Sequence, residues 1–130
     1  ESLPLKQEDI LLEGHSIQCR INAEDSANFV PSPGRLWDCH FPSGYGIRVD
    51  SHAHIGYDMP RCFDSLLAKI IVWGRTRDEA IRRMHSALTE TKLEGVKTLI
   101  PLHLRILNEA DFKSRDITIH YIDDHQELMG

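Results

Sequence analysis

The sequence predicts an α+β domain, with an antiparallel sheet in its first half and a helix-rich second half. Three observations carry that expectation. Apolar and polar residues alternate with a period of two through 17–22, 35–41 and 47–50, and an apolar, β-rich run occupies 64–73. A helix-initiation signature at 76–79 (TRDE) is followed by apolar residues at three- and four-residue spacing. About four strands followed by helices is the order of an α+β domain.

Residues 1–13 read as a polar connector that ends in an apolar patch, 10–12, expected to dock on the body. The stretch GHSIQCRINAED (14–25) places Ile17, Cys19 and Ile21 on one strand face and Gln18, Arg20 and Asn22 on the other. Residues 26–34 hold Pro31, Pro33 and Gly34 and form a loop. RLWDCHF (35–41) alternates again, PSGYG (42–46) is a breaker-rich turn and IRVD (47–50) returns as a strand, so a hairpin is expected. Residues 51–61 are irregular, and DSLLAKIIVW (64–73) ends as a buried strand before Gly74.

The helix signature is a capping box. The Thr76 hydroxyl accepts from the Glu79 backbone N–H while the Glu79 carboxylate reaches back. Ala80, Ile81, Met84, Ala87 and Leu88 then form the apolar face of a helix running to about Thr91. Residues 93–96 turn or pair briefly, and 99–108 form a second helix that tolerates Pro101 only in its first turn. Residues 117–121 make a short strand or loop, and 122–129 a fraying terminal helix.

A chain of 130 residues suits one domain, or the detached lobe of a larger one. Its 41% apolar and 27% charged residues are ordinary for a globular protein. A net charge of −5 argues against a nucleic-acid partner, and the longest apolar run, 70–73, is far short of a membrane span. The N-terminus does not resemble a signal peptide, and its polar lead-in without a methionine points to a piece of a longer polypeptide. Cys19, Cys39 and Cys62 cannot all pair with one another, so free thiols and a cytoplasmic location are expected.

Arg20 is the unusual residue. Its planar fork lies between two amide side chains on a strand, with Glu24 and Asp25 close behind. On that stretch alone two interpretations stay open: a surface ion pair with Glu24 or Asp25, or a fork oriented to hold an anion or a developing oxyanion. Asp64 opens an otherwise apolar segment, where an unpaired carboxylate is costly, and Arg20 is its natural partner. His52 and His54 form an HxH pair without further ligands at zinc spacing, and Cys39 and His40 point to opposite strand faces, so neither pair makes a site. There is no phosphate-binding glycine loop. Tyr45 and Arg48 combine an aromatic and an arginine at the turn, a composition enriched at protein interfaces.

These motifs together resemble the C-terminal domain of biotin carboxylase. The likeness rests on GHSIQCRINAED (14–25), FVPSPGRL (29–36), GYGIRVDS (44–51), GYDMPRCFDSLLAKIIVWG (56–74), RDEAIRRMHSAL (77–88) and EGVKT (94–98), in the family's order and spacing. RINAED and VPSPGRL look most like the subunit of bacterial multi-subunit acetyl-CoA carboxylase, while pyruvate and propionyl-CoA carboxylases share the domain. Two positions depart from the family wording: Cys62 and Phe63 stand where an aromatic pair usually precedes the DS, and Leu99 stands where an asparagine commonly follows VKT.

The resemblance implies an ATP-grasp ligase that uses ATP, Mg2+ or Mn2+, and bicarbonate to make carboxyphosphate and then carboxylates biotin on its carrier protein. It implies a connector at 1–13 leading from an upstream ATP-grasp domain, a C-terminal domain at 14–122 and a tail at 123–130. Nucleotide and metal ligands are then expected upstream, with none in this fragment, which on its own is expected to be inactive. Arg20 is the implied biotin and bicarbonate contact, Asp64 its support, and Tyr45 and Arg48 lie at the implied homodimer interface. Biotin carboxyl carrier protein is the implied partner and fatty acid biosynthesis the implied process. The alternative is a non-catalytic dimerisation module of a biotin-dependent carboxylase.

Overall fold

The longest strand, β4 (Leu66–Gly74), lies between β1 (His15–Asn22) and β3 (Ile47–Ser51), antiparallel to both, in the order β1-β4-β3. The structure, a computed structural model, describes residues 4–129. Ile21, Ile70 and Val72 on the inner face of the sheet are fully buried. Across them packs α1 (Arg77–Glu90), which contributes Ala80, Met84, Ala87 and Leu88 to the same core. Burying a side chain of this size is worth about 1.5–3 kcal/mol, so this strand–helix layer is the main source of cohesion. The helix begins as its sequence predicts, with the Glu79 N–H donating to the Thr76 hydroxyl at 3.2 Å. The box is displaced by one residue, because the Glu79 carboxylate accepts from the Arg75 N–H (2.9 Å) and also pairs with Arg83.

The expected hairpin between 35–41 and 47–50 does not form. In the first segment the only strand is β2 (Asp38–His40), which pairs with β5 (Lys92–Glu94) in a separate two-stranded sheet, while Arg35 bridges singly to Asp58. The competition explains this: Ile47 and Val49 match the apolar inner face of β4, opposite Val72 and Ile70, and β4 captures that strand. β5 closes on β2 through Gly95, whose φ of +110° is open to glycine alone.

Two further helices, α2 (Ile100–Asn108) and α3 (Ala110–Ser114), follow, and α3 was not expected. Pro101 sits in the first turn of α2, where its missing N–H is harmless. Residues 117–120 form no strand, and the terminal helix is split into α4 (Tyr121–Asp124) and a 3-10 turn, Gln126–Met129. Tyr121 and Leu128 pack with Leu102 of α2 in a small second cluster.

The connector departs most from expectation. Residues 1–3 lie outside the described residues, as does Gly130. Ile10, Leu11 and Leu12 do not dock, and Leu12 is 98% exposed. The segment is hooked to the sheet by the Trp73 indole N–H, which donates to the Glu13 carbonyl at 3.2 Å. No helix among the described residues is long and apolar enough to cross a membrane.

A Cβ on Gly95 would run into the Arg35 carbonyl oxygen, so Gly95→Ala combines a forbidden backbone region with a backbone clash. Urea denaturation of that variant is expected to show a loss on the order of 3 kcal/mol or more, and an unchanged midpoint would refute this account of the β2–β5 closure. The thiols provide a second check. Burial pushes the Cys19 thiol up to about 12 and raises that of Cys39, helped by the Asp38 charge, while Cys62 is exposed. A disulfide reagent at pH 8 is expected to modify Cys62 first, Cys39 more slowly and Cys19 only on unfolding.

Candidate active site on the open face of the sheet

With Ile17, Cys19 and Ile21 turned toward the core, alternation turns Gln18 and Arg20 to the opposite, open face of β1. β4 contributes Lys69 and Ile71 there, and β3 contributes Arg48 and Asp50. Register therefore sets out two cross-strand rows, Arg20–Lys69–Asp50 and Gln18–Ile71–Arg48. Two arginines share this face, and their partners distinguish them.

The Arg48 fork is gripped along one edge. Its Nε donates to Asp50 Oδ1 at 3.0 Å and its Nη2 to Oδ2 at 2.8 Å. Those hydrogen bonds raise the guanidinium's affinity for its proton and hold the Asp50 carboxyl below its usual range. Arg20 is held differently. Its Nη2 lies 3.5 Å from Asp64 Oδ2, an ion pair too long for a strong hydrogen bond, and half the side chain (49%) is open. Its guanidinium makes no hydrogen bond among the described residues, and Lys69 stands opposite it on β4. A planar anion can dock bidentately on such a fork.

Neither nearby acid takes the arginine, so the surface pair with Glu24 or Asp25 does not form. Glu24 Oε1 accepts from the Asn22 amide at 2.9 Å and from the Ser65 hydroxyl. Asp25 is bound by Lys97 at 2.6 Å and by the Ala27 N–H, contacts that hold its carboxyl below the usual range. The partner is Asp64, but for a different physical reason from the one the sequence supplied. Asp64 is not buried in an apolar segment: its side chain is 66% exposed. It accepts from the Leu66 N–H at 2.8 Å, which fixes the turn into β4 and with it the carboxylate's position beside Arg20.

The backbone beneath Arg20 is anchored from α2. The Leu99 N–H donates to the Asn22 carbonyl at 3.2 Å, and His103 Nε2 lies 2.9 Å from the Arg20 carbonyl oxygen. His103 has no local sequence signal, because its partner lies 83 residues earlier in the chain. Elsewhere, Tyr45 is 80% exposed in the turn before β3, with the Arg83 guanidinium 5.7 Å from its ring centroid. His52 is bonded to the Tyr57 hydroxyl and His54 to the His52 carbonyl. His40 pairs with Glu90 at 3.1 Å, apart from Cys39. Among the described residues there is no group of three or more metal-ligating side chains.

Known proteins match this chain throughout. The family model described as the biotin carboxylase C-terminal domain matches residues 18–124. Biotin carboxylase of Haemophilus influenzae is 50% identical over 121 residues, covering 93% of this chain and 27% of that protein. Biotin carboxylase 1 of Bacillus subtilis is 48% identical, covering 98% of this chain and 28% of its own length. The chain thus spans about a quarter of the curated relatives it matches. The biotin carboxylase domain dimer of Hydrogenobacter thermophilus 2-oxoglutarate carboxylase, solved with MgADP, ADP and bicarbonate, superposes with a TM-score of 0.95 at 42% identity, over 100% of this chain and 29% of that one. The antiparallel sheet, the α1 layer and the matched span agree: this chain belongs to the biotin carboxylase C-terminal domain family.

Proposed function

We propose that this chain forms one wall of the site where a biotin carboxylase joins bicarbonate to the ureido nitrogen of carrier-bound biotin, with Arg20 as the residue that touches the reacting groups. The observation that carries this is the difference between the two arginines of the open face: Arg48 is chelated by both oxygens of Asp50, whereas Arg20 has a single ion pair at 3.5 Å and its guanidinium makes no hydrogen bond among the described residues. The bicarbonate and MgADP named in the Hydrogenobacter relative support the substrate class.

The residues present fit the anionic reactants and not the nucleotide or its metal. Among the described residues there is no carboxylate cluster for a cation, and the sequence has no glycine-rich phosphate cradle. ATP and Mg2+ or Mn2+, which when bound supply the chemistry that activates bicarbonate, are therefore assigned to an upstream ATP-grasp domain. Arg20 does two things in this scheme. Its fork orients bicarbonate, and its positive charge meets the negative charge that moves onto the ureido oxygen as biotin's nitrogen loses a proton. Asp64 keeps the guanidinium aimed without saturating it. We assign 1–13 to the connector from the upstream domain, 14–122 to the family domain and 123–130 to a tail. The parent is assigned to the acetyl-CoA carboxylase type, in the cytoplasm, working with biotin carboxyl carrier protein in fatty acid biosynthesis.

A dimer role for Tyr45 and Arg48 has its own support. Both are exposed next to the outer edge of β3, which has no strand partner on that side among the described residues. This role accompanies the catalytic one, because Arg48 and Arg20 lie on the same sheet face.

In the full-length carboxylase carrying this domain, Arg20→Ala is expected to cut biotin carboxylation roughly 100- to 1,000-fold while ATP affinity stays near normal. Asp64→Asn is expected to cause a smaller loss. Near-normal turnover of the Arg20 variant sinks the assignment. For the interface, sedimentation of a Tyr45→Ala/Arg48→Glu variant is expected to show a shift from dimer to monomer, and an unchanged association state refutes it.

A further inference from the structure

Edge strands leave a row of backbone groups without partners, and β1 is the edge strand that carries Arg20. Its outer edge is not left bare. At the start of α2, the Leu99 N–H donates to the Asn22 carbonyl and His103 Nε2 reaches the Arg20 carbonyl. The two donors are four residues apart on the helix, linked by the His103 N–H to Leu99 carbonyl bond of 3.0 Å. Four helical residues rise about 6 Å, and two strand residues advance about 6.8 Å. One ridge of the helix therefore matches alternate carbonyls of the strand, with the side-chain donor of the pair falling on the carbonyl of Arg20 itself.

We propose that His103 is a positioning residue for Arg20, fixing through its Nε2–H the backbone from which the guanidinium projects. This rests on the role assigned to Arg20 above. The guanidinium's own partner is a loose 3.5 Å contact to an exposed carboxylate, so the fork's aim depends on the backbone at residue 20. The ladder to β4 holds the strand through the residues flanking Arg20, while the Arg20 carbonyl itself turns to the outer edge, where His103 holds it. The imidazole is suited to the task. Burial holds it below the ordinary histidine range, against the opposing effect of its bond to the Arg20 carbonyl, so at neutral pH it stays uncharged. An uncharged donor secures the carbonyl without adding a cation beside Arg20 and Lys69. With Nε2 protonated, Nδ1 carries the lone pair.

The test is a mutant cycle in the full-length carboxylase, assayed as bicarbonate-dependent carboxylation of free biotin. His103→Leu keeps bulk and removes the donor; His103→Gln keeps an N–H donor of similar reach. The Leu variant is expected to lower kcat about 10-fold or more with KM for ATP unchanged, since a displacement of about 1 Å can cost up to roughly 100-fold. The Gln variant is expected to stay within about 2-fold of the parent. In an Arg20→Ala background, His103→Leu is expected to cause no further loss, because the two residues then act as one unit. An equal loss in that background, or in the Gln variant, assigns His103 a general structural role and overturns the proposal. So does a folded His103→Leu variant with normal kcat. Near-normal turnover of Arg20→Ala alone overturns the assignment of Arg20 itself, and is recognised separately from a failure at His103.

Discussion

The antiparallel pairing of β1 with β4 runs from His15 opposite Gly74 to Ile21 opposite Ala68, and every part of the site depends on it. It places Cys19 and Ile21 under α1, which commits Gln18 and Arg20 to the open face. It brings Lys69 alongside Arg20. Because β4 also pairs with β3, it sets Arg48 and Asp50 on the same surface two strands away. The ladder shifts register between Ile21 and Asn22, where the strand ends and its polar side chains turn to local partners. Asn22, Glu24 and Ser65 close on one another there, so the acids nearest in sequence are spent before they can reach the arginine.

Charge on this face is distributed by reach rather than by number. Lys97 takes Asp25, Asp50 takes Arg48 with both oxygens, and Asp64 stands back from Arg20. An exposed pair such as Arg20–Asp64 adds little to stability. Its value lies in direction. A guanidinium bound bidentately by a carboxylate has given one of its edges to that partner and is partly neutralised by it, whereas one touched at a single nitrogen at 3.5 Å keeps its edges open to a flat anion.

Much of this was legible in the residues, and what was not has a physical pattern. Alternation through 17–22 and the cap at Thr76 are local signals, and both appear where their sequence places them. Arg20 and Asp64 were legible as a pair because each was a charge in need of a partner. The geometry, however, came from a turn hydrogen bond to Leu66 rather than from burial. The hairpin failed because strand choice is a contest between distant segments: 47–51 had a better apolar match in β4 than in 38–40. The patch at 10–12 failed for a related reason, since apolarity alone names no surface to cover. His103 was invisible because a helix-to-carbonyl bond leaves no mark in either local sequence.

The alternation in β1 also protects the fold from its own near-copies. Sliding β1 by one residue against β4 would bring Cys19 and Ile21 out to water and drive a guanidinium, which cannot shed its proton, under α1. Such a misregistered sheet would carry a buried cation with no counter-charge, a state costly enough to be emptied during folding. The residue assigned to chemistry is thus also a safeguard on assembly. Replacing it with an apolar side chain would remove a reaction partner and, at the same time, the strongest objection to a wrong alignment.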